Sequence, residues 1–411
     1  MFPKRRGNIP IPFLAGAFRY RNYQIWFFGQ SISLIGTWMQ SVAQQWVIYE
    51  ITGSKFLLGL ITFANSLPTF FLMLPAGVLA DRVSRRSIML FTQGSMMALA
   101  FLLAGLLAAG RLETWHLIAL AVLLGISNSI DAPARQALTV ELVEDRKDLL
   151  HAIALNSTMF NLARVIGPVI AGVVLATWGA VWCFGLNGIS FIAVIVGLLL
   201  MRLKPALPPL AQPPIQQVRE GLQYVVHHPV ILPLMMLTAT STAFSFAYAT
   251  ILPAYIVEVL HQREAALGVL TAAVGIGAVS GSLLMAHISR SEDRKAPLLL
   301  GSVLFPVSLL FFSLSHSYLL SFGLLLVAGF GLVVQNTSLN ILIQSLVPDD
   351  RRGRVMSIYL LAYFGAIPLG ALQAGAVAQW LGAAAGVGIS AAISLILTAV
   401  IFIAAPRLRQ I

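Results

Sequence analysis

Apolar stretches of about 20 residues recur along the whole chain, each long enough to cross a bilayer as a helix. The pattern predicts twelve helices, at 21–50, 56–79, 87–109, 115–135, 152–178, 181–201, 229–258, 265–288, 296–315, 317–343, 354–379 and 386–405. The turns between them carry breakers such as Thr52-Gly53-Ser54 and Ala109-Gly110. Alternating ten-residue strands are absent from the pattern, so helices rather than a closed barrel satisfy the backbone in lipid. The first apolar run lacks a small-residue cleavage site and continues into a full span, so it reads as a retained helix. One stretch breaks the rhythm: 202–228 opens Pro-rich and then turns amphipathic. There Ile215, Val218, Leu222, Val225 and Val226 share a face opposite Gln216, Arg219, Glu220 and Gln223. This is either a short helix lying on the membrane surface or a plain tether.

The chain also repeats itself at an offset of a little over 200 residues. "LGLITFA" (58–64) matches "LGVLTAA" (267–273), "ELVEDRK" (141–147) matches "SLVPDDRR" (345–352), and "GPVIAG" (167–172) matches "GALQAG" (370–375). The shared order of these short matches predicts two related halves, 1–201 and 229–411, joined by the linker 202–228. The expected fold is an all-α membrane protein, with twelve transmembrane helices in two pseudo-symmetric six-helix bundles. Such a design puts a transport site between the halves, near the bilayer midplane.

Composition sharpens this picture. Of 411 residues, 58% are hydrophobic and 10% charged, with a mean hydropathy of +0.87. A soluble domain is about half apolar and about a quarter charged. The net charge of +11 could suggest nucleic acid, but its placement does not. Of the 26 Lys and Arg, 22 fall in loops on one side, and only Lys55, Arg111 and Arg263 fall on the other. That bias puts both termini in the cytoplasm, and it leaves no clustered basic face for a nucleic acid. The single cysteine, Cys183, supports neither a disulfide framework nor a thiolate cluster. No Gly-x-x-x-x-Gly-Lys-Ser/Thr loop is present, and the seven histidines lack metal-site spacing. No enzyme, cofactor or metal is therefore expected.

Polar residues inside spans should face the interior or a water-filled cavity. Helix 1 carries Gln30, Ser33, Thr37, Gln40, Ser41 and Gln44 in steps of three and four. Helix 7 carries Thr238, Ser241, Thr242, Ser245 and Tyr248 at similar spacing. Asn128, Asn156, Asn161, Gln335 and Asn336 add amides from helices 4, 5 and 10. They either line a cavity for an amphipathic ligand or bond helix to helix. Glu50 and Glu258 hold matching outer ends of helices 1 and 7 and are outer-gate candidates. Arg164 is the only base deep in a span, and Asp131 is the one acid within a span away from the outer end. Helix 4 runs inward and helix 5 outward, and side chains lean toward their helix N-terminus. Asp131 and Arg164 could then meet, directly or through water, as a proton-coupling pair. The alternatives are a fixed structural pair, or Asp131 held by Arg135 one turn away.

The loop "GVLADRVSRR" (77–86) resembles the signature loop of the major facilitator superfamily, Gly-x-x-x-Asp-Arg-x-x-Arg-Arg/Lys. The resemblance covers the whole chain. It implies that Gly77, Asp81, Arg82, Arg85 and Arg86, with Arg135 nearby, form a cytoplasmic gate locking the halves near the start of helix 11. Gly77 should allow close helix approach. A finer resemblance lies in "DAPARQALTVELV" and "LLHAIALNSTMFNLARVIGPVIAG" (131–143 and 149–172). These are similar to the branch holding the enterobactin exporter and macrolide-efflux proteins. Gly167, Pro168 and Gly172 resemble the Gly-Pro motif of drug and proton antiporters, which implies a gating hinge; a passive kink is the alternative. The implied activity is secondary active export of a small amphipathic compound by proton antiport and alternating access. A bacterial inner membrane, a small-molecule substrate, protons and lipid as partners, and a monomer complete the expectation. A metabolite importer or uniporter, and a non-transporting receptor or scaffold, remain as other readings.

Overall fold

The computed structural model describes residues 16–201 apart from 144, then 214–288 and 295–410. Within these, the side chains of Leu74, Asp81, Arg146, 214–218 and 409–410 are outside the described set. The described chain is helical: α1 (Arg21–Thr52), α2 (Lys55–Arg82), α3 (Arg85–Ala108), α4 (Thr114–Glu141), α5 (Arg146–Thr177) and α6 (Ala180–Leu200) come first. Then follow α7 (Pro214–His227), α8 (Ile231–Glu258), α9 (Glu264–Ile288), α10 (Lys295–Ser313), α11 (Tyr318–Leu346), α12 (Asp349–Leu381) and α13 (Ala383–Ala404). A π-helical turn at Ser241–Ser245 interrupts α8. Turn chemistry sets the ends. Gly53 (φ 59°) and Gly382 (φ 92°) take backbone conformations that an L side chain resists. Ser54 and Ser84 cap the next helices by accepting from the backbone N–H of Leu57 and Ser87.

Eleven of these helices are long and apolar enough to cross a membrane. α1, expected from its pattern to be a span, has 32 residues but is not among the eleven. Its glutamines at 24, 30, 40, 44 and 45 lower its hydropathy. Two other expectations shift. α4 continues through Pro133 to Glu141, so Arg135 lies inside the helix rather than at its end. α12 begins at Asp349, five residues before the expected start.

The helices sort by their neighbours. α1 packs on α5 and α6, α2 on α4, and α3 on α4 and α6. In the second part, α11 packs on α9 and α10, and α13 on α10 and α12. Across the two groups, α2 lies against α12 and α5 against α9. One end of the molecule carries Arg82, Arg85, Arg86, Lys147, Arg351, Arg352 and Arg354 and is called the basic end below. Away from it, one continuous apolar core runs through both groups, from Val47 and Leu58 to Tyr255, Leu267 and Ala378. Toward the basic end the core divides in two. One cluster centres on Trp26, Met89 and Leu138, the other on Leu234, Leu342 and Val355.

Candidate functional site

The seam between the groups is closed by glycine. A methyl added at Gly375 would lie 2.9 Å from the Gly59 Cα, and one at Gly268 would lie 2.7 Å from the Gly172 Cα. Backbones approach this closely only where no side chain intervenes. The hinge candidates Pro168 and Gly172 therefore sit in the α5–α9 contact, and Gly167 packs against α1 beside Trp38. A polar latch joins the same end. Lys55 Nζ lies 2.6 Å from Glu258 Oε1, which also accepts from the Tyr49 hydroxyl at 2.8 Å. Gln379 Oε1 accepts from the Lys55 backbone N–H at 2.9 Å and faces Ser54 Oγ at 3.3 Å. Glu50, the other outer-gate candidate, is exposed and outside this latch.

Below the latch lie two cavities. One, of about 220 Å³, is lined by Thr37, Gln40, Ser41, Gln44, Gln45, Thr62, Asn65, Asn128 and Asn187, among others. The second, of about 190 Å³, takes in Trp38, Ser41, Gln45, Thr62, Arg164, Thr242, Phe246, Tyr248, Thr250 and Thr271. Ser41, Gln45 and Thr62 belong to both, so the two spaces adjoin. The second is walled by helices of both groups, from α1, α2 and α5 to α8, α9 and α12. Asn187 holds Gln40 in place, donating to its Oε1 at 2.7 Å.

Of the sequence candidates, Thr37, Gln40, Gln44 and Asn128 thus face the first cavity and Arg164 the second. Others are committed elsewhere. Asn156 accepts from Tyr23 and donates to Thr139 inside the first group. Ser241 donates to Gln335 Oε1 at 2.8 Å, and Ser245 pairs with Ser394 at 2.7 Å. Thr238 donates to the Leu234 carbonyl. Gln30 and Ser33 are buried, and Asn336 lies against Tyr363. Asn161 lines neither of these two cavities.

The Asp131–Arg164 pair does not form. Asp131, 2% exposed, accepts from Thr92 Oγ1 at 2.8 Å and Gln93 Nε2 at 3.0 Å, and Arg135 Nε stands 3.6 Å from its other oxygen. The alternative of a hold by Arg135 is the one seen. The reason is rotational: α4 packs on α2 and α3 far more than on α5, so Asp131 turns to α3. Arg164 lies instead 5.8 Å from the Trp38 ring centre.

Among the described side chains, no gate residue is joined across the basic end. Arg85 pairs with Glu141 of α4, Arg86 donates to the Leu199 carbonyl at 2.8 Å, and Arg82 is exposed. The space beside Gly77 is open, contrary to the expected close approach. Arg354, at the start of α12, pairs instead with Glu220 of α7 at 2.7 Å. The Asp81 side chain lies outside the described set, as does the 202–213 part of the expected linker.

The family described as transmembrane secretion effector matches residues 11–411. The chain belongs to this branch of the major facilitator superfamily. Membership makes it a multi-span membrane transporter and not an enzyme. Among its relatives is the staphyloferrin A transporter of Staphylococcus aureus, 25% identical over 84% of this chain and 87% of that one. The multidrug efflux pump Tap of Mycolicibacterium fortuitum is 26% identical over 92% and 93%. The enterobactin exporter EntS of Citrobacter koseri is 29% identical over 81% and 79%. The fold of this chain is similar to that of a bacterial homologue of the human lysosomal transporter Spinster, solved inward-facing and unoccupied. The TM-score is 0.75 at 14% identity, over 97% of this chain and 98% of that one.

Several cavity residues of this superfamily member escape a sequence reading: Trp38, Gln45, Thr62, Asn65, Asn187 and Thr271. Two left a signal. Thr62 and Asn65 stand three apart on α2, and Asn187 is a lone amide in the very apolar α6.

Proposed function

We propose that this transporter is a secondary active exporter of a small amphipathic compound in a bacterial inner membrane, working by alternating access and proton antiport. In this reading, 1–201 and 229–411 are two pseudo-symmetric six-helix bundles, α1 is the twelfth span, and 202–228 is the cytoplasmic link. The basic end and both termini face the cytoplasm, and the form described here is open on that side. The observation that carries the reading is the divided core. One apolar core and two glycine contacts seal the end away from the bases, while two separate cores flank the basic end. Two of these relatives, an exporter and an efflux pump, favour the outward direction. Asp131 is the proton site of this reading. Its protonation removes a charged acceptor from Thr92 and Gln93 and frees Arg135.

The test is uptake into everted membrane vesicles from an efflux-deficient host, across a panel of drugs and siderophores. At least one compound should accumulate under an imposed proton gradient and stop accumulating when an uncoupler collapses it. Accumulation indifferent to the gradient refutes the antiport. Movement only in the opposite direction refutes export.

A further inference from the structure

Arg164 is a cation without a carboxylate. Among the described residues lining the two cavities it is the only charged one, and it makes neither a hydrogen bond nor an ion pair. The acids that might have neutralised it are engaged elsewhere: Asp131 with Thr92, Gln93 and Arg135, and Glu258 with Lys55 and Tyr49. Its neighbours are the Trp38 ring, 5.8 Å away, and Tyr248 and Tyr363, both within its electrostatic reach. Gly275 packs against the Arg164 carbonyl, so the side chain leaves α5 where that helix meets α9 at the seam. Around it stand uncharged donors and acceptors: Ser41, Gln45, Thr62, Thr242 and Thr271.

A guanidinium cannot shed its proton to escape this setting. An ionised side chain within a span is functional by default, and a planar fork of N–H donors matches a carboxylate two bonds at a time. We propose that Arg164 is the anion-recognition point of the central cavity, and that the compound carried is an organic acid with an aromatic or apolar body. The acid group sits on the guanidinium, and the body lies against Trp38, Phe246 and Tyr248. A cationic compound of the same size is disfavoured by the same charge. This deepens the export reading, but it concerns binding and can fail or stand apart from it.

The experiment is calorimetric titration of the full-length protein in detergent with three matched pairs: benzoate and benzamide, 2-naphthoate and 2-naphthamide, 1-pyrenecarboxylate and its amide. At least one acid should bind about tenfold more tightly than its amide, a gap that charge-assisted pairing out of bulk water supplies. The gap should close in Arg164→Gln and shrink without vanishing in Arg164→Lys, which keeps the charge but not the fork. Equal binding of acids and amides, a gap that persists in Arg164→Gln, or no binding of any acid overturns the proposal. If Arg164→Gln does not fold, the wild-type protein still decides. Quenching of Trp38 fluorescence by 2-naphthoate but not by 2-naphthamide, lost in Trp38→Phe, supports the site, and equal quenching by both refutes it. Proteoliposome uptake of the same compounds reads the other proposal. Selective acid binding without flux sinks transport and leaves the anion site, whereas equal flux of acid and amide does the reverse.

Discussion

Alanine at Gly268 should prise open the sealed end. Its Cβ would stand 2.7 Å from both the Cα and the N of Gly172 and would also meet the Pro168 carbonyl. Carbon atoms in ordinary contact sit about 3.5–4.0 Å apart, so α5 and α9 must separate by roughly 1 Å. Both obstacles are backbone, so no rotamer change relieves the clash. Overpacking of this kind costs about 1–3 kcal/mol. The cost falls on the form in which the two helices touch, and a form in which they part does not bear it. The expected shift between the two forms is therefore about 5- to 150-fold. It can be read at a distance, across the other helix pair. Ser54 on the α2 cap and Gln379 on α12 approach within 3.3 Å. Cysteines placed at both, in a Cys183→Ser background, should be joined by a short bifunctional reagent. The native Cys183 is buried and is the sole cysteine. Gly268→Ala should lower the joined fraction, and Gly185→Ala, which meets nothing within 4 Å, should not. If joining is unchanged by Gly268→Ala in a well-folded protein, the two glycine contacts do not act as one seal and the reasoning fails.

Glu258→Gln should weaken the same closure by about fivefold, the roughly 1 kcal/mol of a partly exposed ion pair, and exchanging the two charges as Lys55→Glu with Glu258→Lys should restore it in the same joining assay. Asp131→Asn should abolish proton-driven efflux while counterflow exchange continues, and undiminished efflux removes Asp131 from the coupling. His228 joins α7 to α8, its Nδ1 accepting the backbone N–H of Val230 and Ile231, and burial holds its pKa below the usual 6.5. The neutral ring is the form that caps, so the junction is fully stable above about pH 6.5 and loosens as pH falls through that value toward the lower folded pKa. Amide protection at Val230 and Ile231, taken relative to intrinsic exchange at each pH, should fall below that pH in the wild type and not in His228→Asn, which keeps an acceptor but cannot titrate.

Eleven of the twelve expected spans were legible because lipid imposes a length and a hydropathy that short-range pattern alone records. The short sequence matches reappear in the packing. Gly59 and Gly268 hold the same place in "LGLITFA" and "LGVLTAA", and Gly172 and Gly375 end "GPVIAG" and "GALQAG". In the structure each copy of the first motif meets a copy of the second: Gly59 on Gly375, Gly268 on Gly172. Two weak matches in sequence are thus one contact made twice.

What the pattern could not supply was rotation and partner. Spacing put Gln30, Ser33, Thr37, Gln40 and Gln44 on one face of α1, yet the first two line neither cavity and the last three border one. That division depends on how far down the seam the helices stay in contact, which no local pattern encodes. Asp131 and Arg164 show the same limit more sharply. Their depths followed from helix direction and side-chain lean. Their azimuths did not, because α4 and α5 follow each other in the chain without packing closely. Neighbours in sequence are neighbours in space only about two-thirds of the time. Asp131 turned to the amide and hydroxyl of α3, and Arg164 was left facing the seam. The error is informative. In the proposed reading, a buried acid engaged by its own helix group senses protons without touching cargo. In the same reading, a cation left without a carboxylate at the meeting of the two helix groups takes its counter-charge from what enters between them.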